Sequence, residues 1–164
     1  MAIRPLLSSD ERVPPSSEIR RDVVRRAWAL FLAREVLGLI FLMAGIWKVF
    51  QLTPAGHAHR YFVDPYAGTF LPSWALWAVG VTVPVVELLG GALLVLGWRT
   101  RDACIALGLV LVIVTFGHLV KEPLYAFHEH VLPRLALVLF VLTTPASWDL
   151  ASVDAWLASR ASGG

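Results

Sequence analysis

Apolar residues gather in four long stretches, at about 30–52, 73–98, 103–120 and 128–146, with short polar segments between them. A helix needs about 20 residues to cross a hydrocarbon core of about 30 Å. Each stretch meets or approaches that length. The second and third are apolar all round, whereas a helix at the surface of a water-soluble protein shows one apolar stripe. Only Arg99 to Asp102 lie between them, which predicts a tight antiparallel hairpin. The fourth stretch carries Pro133 and Arg134 near its start. A proline fits there, because the first turn of a helix has N–H groups without partners anyway. The pattern predicts an all-α integral membrane four-helix bundle, its transmembrane domain covering 28–146.

The remaining segments read as interfacial. Residues 1–27 form a basic N-terminal arm with Pro5, Pro14 and Pro15; within it Ser17 is placed to cap a short helix carrying Arg20, Arg21, Arg25 and Arg26. Those arginines would lie against anionic headgroups. Residues 53–72 read as an outer loop, with Pro54, Gly56, Pro65, Gly68 and Pro72. Tyr61, Phe62, Tyr66, Phe70 and Trp74 suit an aromatic belt at the membrane surface. In the tail, 147–164, Leu150, Val153 and Leu157 share a helical face and predict a segment lying flat on the membrane. The first 27 residues lack the apolar core of a cleavable signal peptide, so the first apolar stretch is expected to stay in place. No internal repeat or low-complexity tract is visible.

Composition strengthens the membrane reading. Hydrophobic residues make up 57% of the 164 and charged ones only 16%, against about 25% charged in soluble domains. Mean hydropathy is +0.68. A net charge of +2 gives no basis for nucleic-acid binding. The single cysteine, Cys104, excludes an internal disulfide or a redox pair. The placement of cations is more telling than their number. Six arginines lie in the arm, Arg99 and Arg101 in the hairpin turn and Arg160 in the tail, whereas the opposite side has Arg60, Lys121 and the bordering Lys48. Lysine and arginine concentrate on the cytoplasmic side of membrane proteins, so both termini are expected there. All five histidines then fall at the outer end.

Polar residues within the apolar stretches recur at helical spacing. Arg34, Gly38, Phe41, Gly45 and Lys48 share one face of the first, and Gly80, Pro84, Glu87 and Gly91 one face of the second. A charge at the bilayer centre costs about 2.5–3.5 kcal/mol on insertion scales, so such groups face the bundle and pair. A rise of about 1.5 Å per residue puts Glu87 near mid-membrane, with His118, Lys48 and Arg134 further out. These four would surround one polar spot, a candidate quinone or anion site. Against this stands a purely structural reading. Glu87 would then only neutralise Arg34 or Arg134, Lys48 and Arg134 would snorkel to headgroups, and His118 would be a packing residue. His57-Ala58-His59 and His128-Glu129-His130 have the look of metal ligands, but residues two apart share no helical face, and no metal site is assigned.

The first helix, REVLGLIFLMAGIWKVF, with Arg34, Gly38, Gly45 and Lys48, resembles that of the DoxX family of small bacterial membrane proteins. So does the second, VELLGGALLVLGWRTR, with Glu87, Gly90, Gly91 and Gly97, followed by the basic turn and an apolar third helix. The likeness covers about residues 30–145. It implies a four-helix bundle in the bacterial inner membrane. It further implies work beside other membrane protein subunits in electron transfer, as in thiosulfate:quinone oxidoreductase, with quinone as the candidate cofactor. Arg34, Gly38, Gly45, Gly90 and Gly91 are assigned to helix packing and ion pairing. No catalytic residue is assigned, since the chain has no redox cysteine pair or recognisable cofactor motif. The favoured reading is an accessory, mainly structural subunit of a larger respiratory or photosynthetic complex. The alternative is a quinone-reactive subunit, and a small transporter or channel is third.

Overall fold

A computed structural model describes residues 16–122 and 126–162. The proline-rich start of the arm, 1–15, lies outside the described residues. Among those described, all regular structure is helical. Helix α1 spans Ser16–Ile46 and runs on as a π-helical turn, Trp47–Gln51. Helix α2 spans Pro54–Ala58, with a second π turn at His59–Val63. The other helices are α3 (Ser73–Leu96), α4 (Thr100–Lys121), α5 (Phe127–His130), α6 (Leu132–Thr143) and α7 (Val153–Ala161).

Three of these segments, Ser17–Gln51, Ser73–Leu96 and Thr100–Lys121, are long and apolar enough to cross a membrane. The fourth stretch differs from expectation. It is broken at Val131 into α5 and α6, and α6 is a 12-residue apolar helix. At about 1.5 Å per residue it spans about 18 Å. The arm differs too. No glycine or proline separates the arginines from the apolar stretch, so the expected short basic helix is simply the first turns of α1. The segment read as loop, 53–72, is helical in its first half. Its break from α1 is local: Thr53 takes a φ of 63°, and its hydroxyl accepts from Gly56 N at 3.2 Å, capping α2.

Helices α1 and α3 run antiparallel in close contact, and glycines set the distance. A Cβ on Gly91 would strike the Leu42 backbone, and one on Gly45 the Leu88 backbone. One on Gly38 would lie 2.9 Å from Val95 Cγ2, and one on Gly90 2.9 Å from Leu107 Cγ on α4. Where lipid removes the hydrophobic drive between helices, such close backbone approach is a main source of association. At the end of α3, Gly97 adopts a left-handed φ of 65°, and Trp98 N returns to Leu93 O at 2.9 Å, closing the helix into the turn.

The end where the arginines gather holds the apolar core, including Leu30, Leu37, Leu94, Cys104, Leu107 and Val141. Arg34 is also buried there, with 1% exposure. The expected partner of Arg34, Glu87, is not the one it finds. Its guanidinium pairs with Asp149 at 3.3 Å and Glu35 at 3.0 Å. It also donates to Leu94 O, to Val95 O at 3.1 Å and to Ala151 O at 2.9 Å. The tail is thereby clasped to the bundle. Asp154 completes the clasp by accepting from Arg99 N at 3.0 Å and Thr100 N at 3.2 Å, at the start of α4. Leu150 and Leu157 are exposed while Val153 is half-buried.

Candidate ligand site at the histidine end

Above that core the helices part around a cavity of about 710 Å³. Phe41, Val83, Val110, Leu111 and Val114 form its apolar wall, and Trp47, Tyr61, Phe62 and Tyr66 its aromatic one. Lys48, Glu87, His118 and Arg134 all line it. The four polar residues singled out from depth and spacing thus meet in one space. His57, His130 and Val131 line it as well.

Each residue owes its place to a local feature. Lys48 and Trp47 lie on the π turn that ends α1, where Leu52 N reaches back five residues to Trp47 O at 3.2 Å. The wider turn shifts the register and re-aims these side chains; such bulges recur at functional sites. Tyr61 and Phe62 sit on the second π turn, closed by Asp64 N to His59 O at 3.0 Å. Tyr66 reaches α4 because Gly117 has no side chain: a Cβ there would lie 3.0 Å from the Tyr66 hydroxyl. The break at Val131 opens the start of α6, so that His130 and Arg134 face the space.

Glu87 pairs with Lys48 at 2.5 Å, rather than with Arg34 or Arg134. Arg134 makes no ion pair among the described residues. The pair cancels its own charges, and Arg134 leaves the cavity with an excess of one positive charge. That balance favours a ligand with electron-rich oxygens and disfavours a cation.

His57 is 3% exposed. Gly80 makes room for its helix, since a Cβ at Gly80 would lie 2.6 Å from Ala58 Cα. One turn on, the buried Pro84 sits inside α3. A proline has no N–H to give to the carbonyl four residues back. That carbonyl belongs to Gly80, and it meets His57 Nδ1 at 2.7 Å instead. Tyr61 and Phe62 pack against the imidazole at ring distances of 5.2 and 5.5 Å. Burial pushes the His57 pKa below its ordinary value; the Gly80 bond opposes this and Lys48 adds to it. Burial thus favours the neutral ring over the charged one.

The sequence presents His57 only as half of a metal-like pair. Its partner His59 points elsewhere, 3.6 Å from Asp64, and His128 lies at the surface by Glu129. Among the described residues no group of three metal-ligand side chains comes together. A sequence signal for His57 does exist in Pro84, which announces a vacant carbonyl one turn earlier, but nothing in the sequence says which side chain fills it.

An apolar groove of about 420 Å³ adjoins the cavity between α3 and α4, sharing Phe62, Tyr66 and Gly117 with it. Leu76, Val79 and Phe116 continue its lining.

No curated protein and no solved structure matches the chain. The sequence profile of one family, DoxX, matches residues 29–120, more than half of the chain, which includes α3, all of α4 but its last residue and nearly all of the apolar part of α1. With its three membrane-length apolar helices, this multi-pass membrane protein belongs to the DoxX family.

Proposed function

We propose that the chain is a membrane subunit that holds the headgroup of a quinone-class ligand in the cavity at its histidine end. The observation that carries this reading is the convergence of Lys48, Glu87, His118 and Arg134 on one apolar-walled space of about 710 Å³. A mostly apolar cavity with a few convergent polar groups is the usual form of a small-molecule site. A quinone ring fits the aromatic and aliphatic walls, and its carbonyl oxygens suit the cationic groups. Cations near a quinone stabilise negative charge on its oxygens, and a histidine or carboxyl can exchange protons with them. In this reading α5 and α6 supply the fourth crossing, both termini are cytoplasmic, the membrane is the bacterial inner membrane, and other electron-transfer subunits are the partners.

Arg134→Gln is the sharpest test, because Arg134 has no ion-pair partner among the described residues to strand. Binding of a decyl-substituted benzoquinone to the detergent-purified protein is read by quenching of tryptophan fluorescence, with Trp47 in the cavity wall. Wild type should bind it saturably, and the variant about tenfold more weakly, the worth of one charge-assisted contact. Absence of saturable binding by wild type would leave the chain as an accessory subunit that acts only by packing against its partners.

A further inference from the structure

We propose that His57 is a ligand-facing hydrogen-bond acceptor, fixed in that role by Pro84, and that it makes the cavity prefer a hydroxyl-bearing ligand such as a hydroquinone over the oxidised quinone. This rests on the ligand reading above and adds the redox form that the site holds best.

The argument begins in the backbone of α3. Pro84 leaves the Gly80 carbonyl without its helical donor, and His57 Nδ1 lies 2.7 Å from that oxygen. A carbonyl oxygen can only accept, so the proton of this bond sits on Nδ1. In a neutral imidazole the other nitrogen is then an acceptor. Nε2 makes no hydrogen bond to any described residue, and it belongs to a side chain that lines the cavity. An acceptor on the wall of a mostly apolar cavity favours an occupant that brings a donor to it. The oxidised quinone has no O–H to give. The hydroquinone has two, and its oxygens still accept from cationic groups. A site made to bond a hydroxyl rejects the analogue lacking it far more strongly than an apolar pocket rejects an extra one.

Pro84→Ala tests the coupling. The substituted alanine would supply an N–H that competes for Gly80 O and frees His57 Nδ1 from its fixed role. In nitrogen-15 spectra of histidine-labelled protein, wild type should show one neutral His57 tautomer, protonated at Nδ1. The variant should show a mixture. Anaerobic binding of decyl-benzohydroquinone and of the matching benzoquinone supplies the second readout. Wild type should bind the hydroquinone more tightly by about tenfold, the worth of one good hydrogen bond. His57→Phe should erase that preference, and Pro84→Ala should reduce it. If wild type binds both forms equally, or if His57→Phe leaves the preference intact, His57 is not the acceptor, although the ligand site stands. If wild type binds neither form, the functional reading itself falls.

Discussion

At the scale of single residues, the glycines divide into those that hold the bundle together and those that do not. Gly91 faces the Leu42 backbone with no room for a Cβ, whereas Gly108 would meet only Val138 Cγ1, at 3.5 Å. Gly91→Val should therefore destabilise the protein by about 1–3 kcal/mol through overpacking. Gly108→Ala should be neutral or slightly stabilising, since alanine is the better helix former. Unfolding of the purified variants in mixed micelles measures both. The sequence allows this distinction only in part. Spacing puts Gly38, Gly45 and Gly91 on the polar faces of their helices, but close approach depends on which helices meet. Charge pairing is less legible still. Depth is enough to bring Glu87, Lys48, His118 and Arg134 to one cavity. The partner of Arg34 is Asp149, which lies beyond the last apolar stretch, where no periodicity points to it.

At the scale of elements, the boundaries that differ from the hydropathy pattern are those where backbone groups find unusual partners. Stretches two and three form α3 and α4 almost as hydropathy draws them, because a long apolar helix satisfies its own backbone. The fourth stretch does not: it breaks at Val131, just before Pro133, which has no N–H to give to the turn preceding it. Irregular backbone at membrane depth is tolerated where it lines a cavity or is buried in protein. Hydropathy does not mark the two π turns or α2 as separate elements: the first π turn lies within the first apolar stretch, and the second π turn and α2 within the segment read as loop. Among the elements, the clasp between α1 and the segment after α6 is the most consequential ion pair. Burial raises the Asp149 pKa above its ordinary value, and Arg34 opposes that without overcoming it. The guanidinium is shared among Glu35 and three carbonyls, so Asp149 has only part of it. Asp149→Asn should cost only about 1 kcal/mol, because Glu35 and three carbonyls still hold the guanidinium and the neutral amide is easier to bury than the carboxylate. The double variant Arg34→Met, Asp149→Leu should cost less than the sum of its single changes. Thermal unfolding of the four proteins in one detergent closes that cycle.

For the molecule as a whole, the described residues are split between an end closed by the apolar core and the Arg34 clasp and an end hollowed around polar groups. The clasped end carries the chain's early and late segments together: Arg26 stacks on Trp148 at 4.7 Å, and Asp154 caps α4. An even number of crossings follows from this meeting if α5 and α6 return the chain across the membrane. Cysteines introduced at Ser17 and at Ser159, in a Cys104→Ala background, should both react with an impermeant thiol reagent only after the inner face is opened. Labelling of one of them from the outside of intact cells would refute the proposed topology.

The Arg34 clasp also bears on how such a chain matures. Arg34 is translated well before Asp149 and Ala151, which lie beyond the last apolar stretch. Until then Arg34 has only Glu35 and, once α3 has docked, the Leu94 and Val95 carbonyls. Final locking of the bundle therefore waits until this segment has been made, and a chain stopped short of Asp149 keeps a buried guanidinium without one of its two carboxylates.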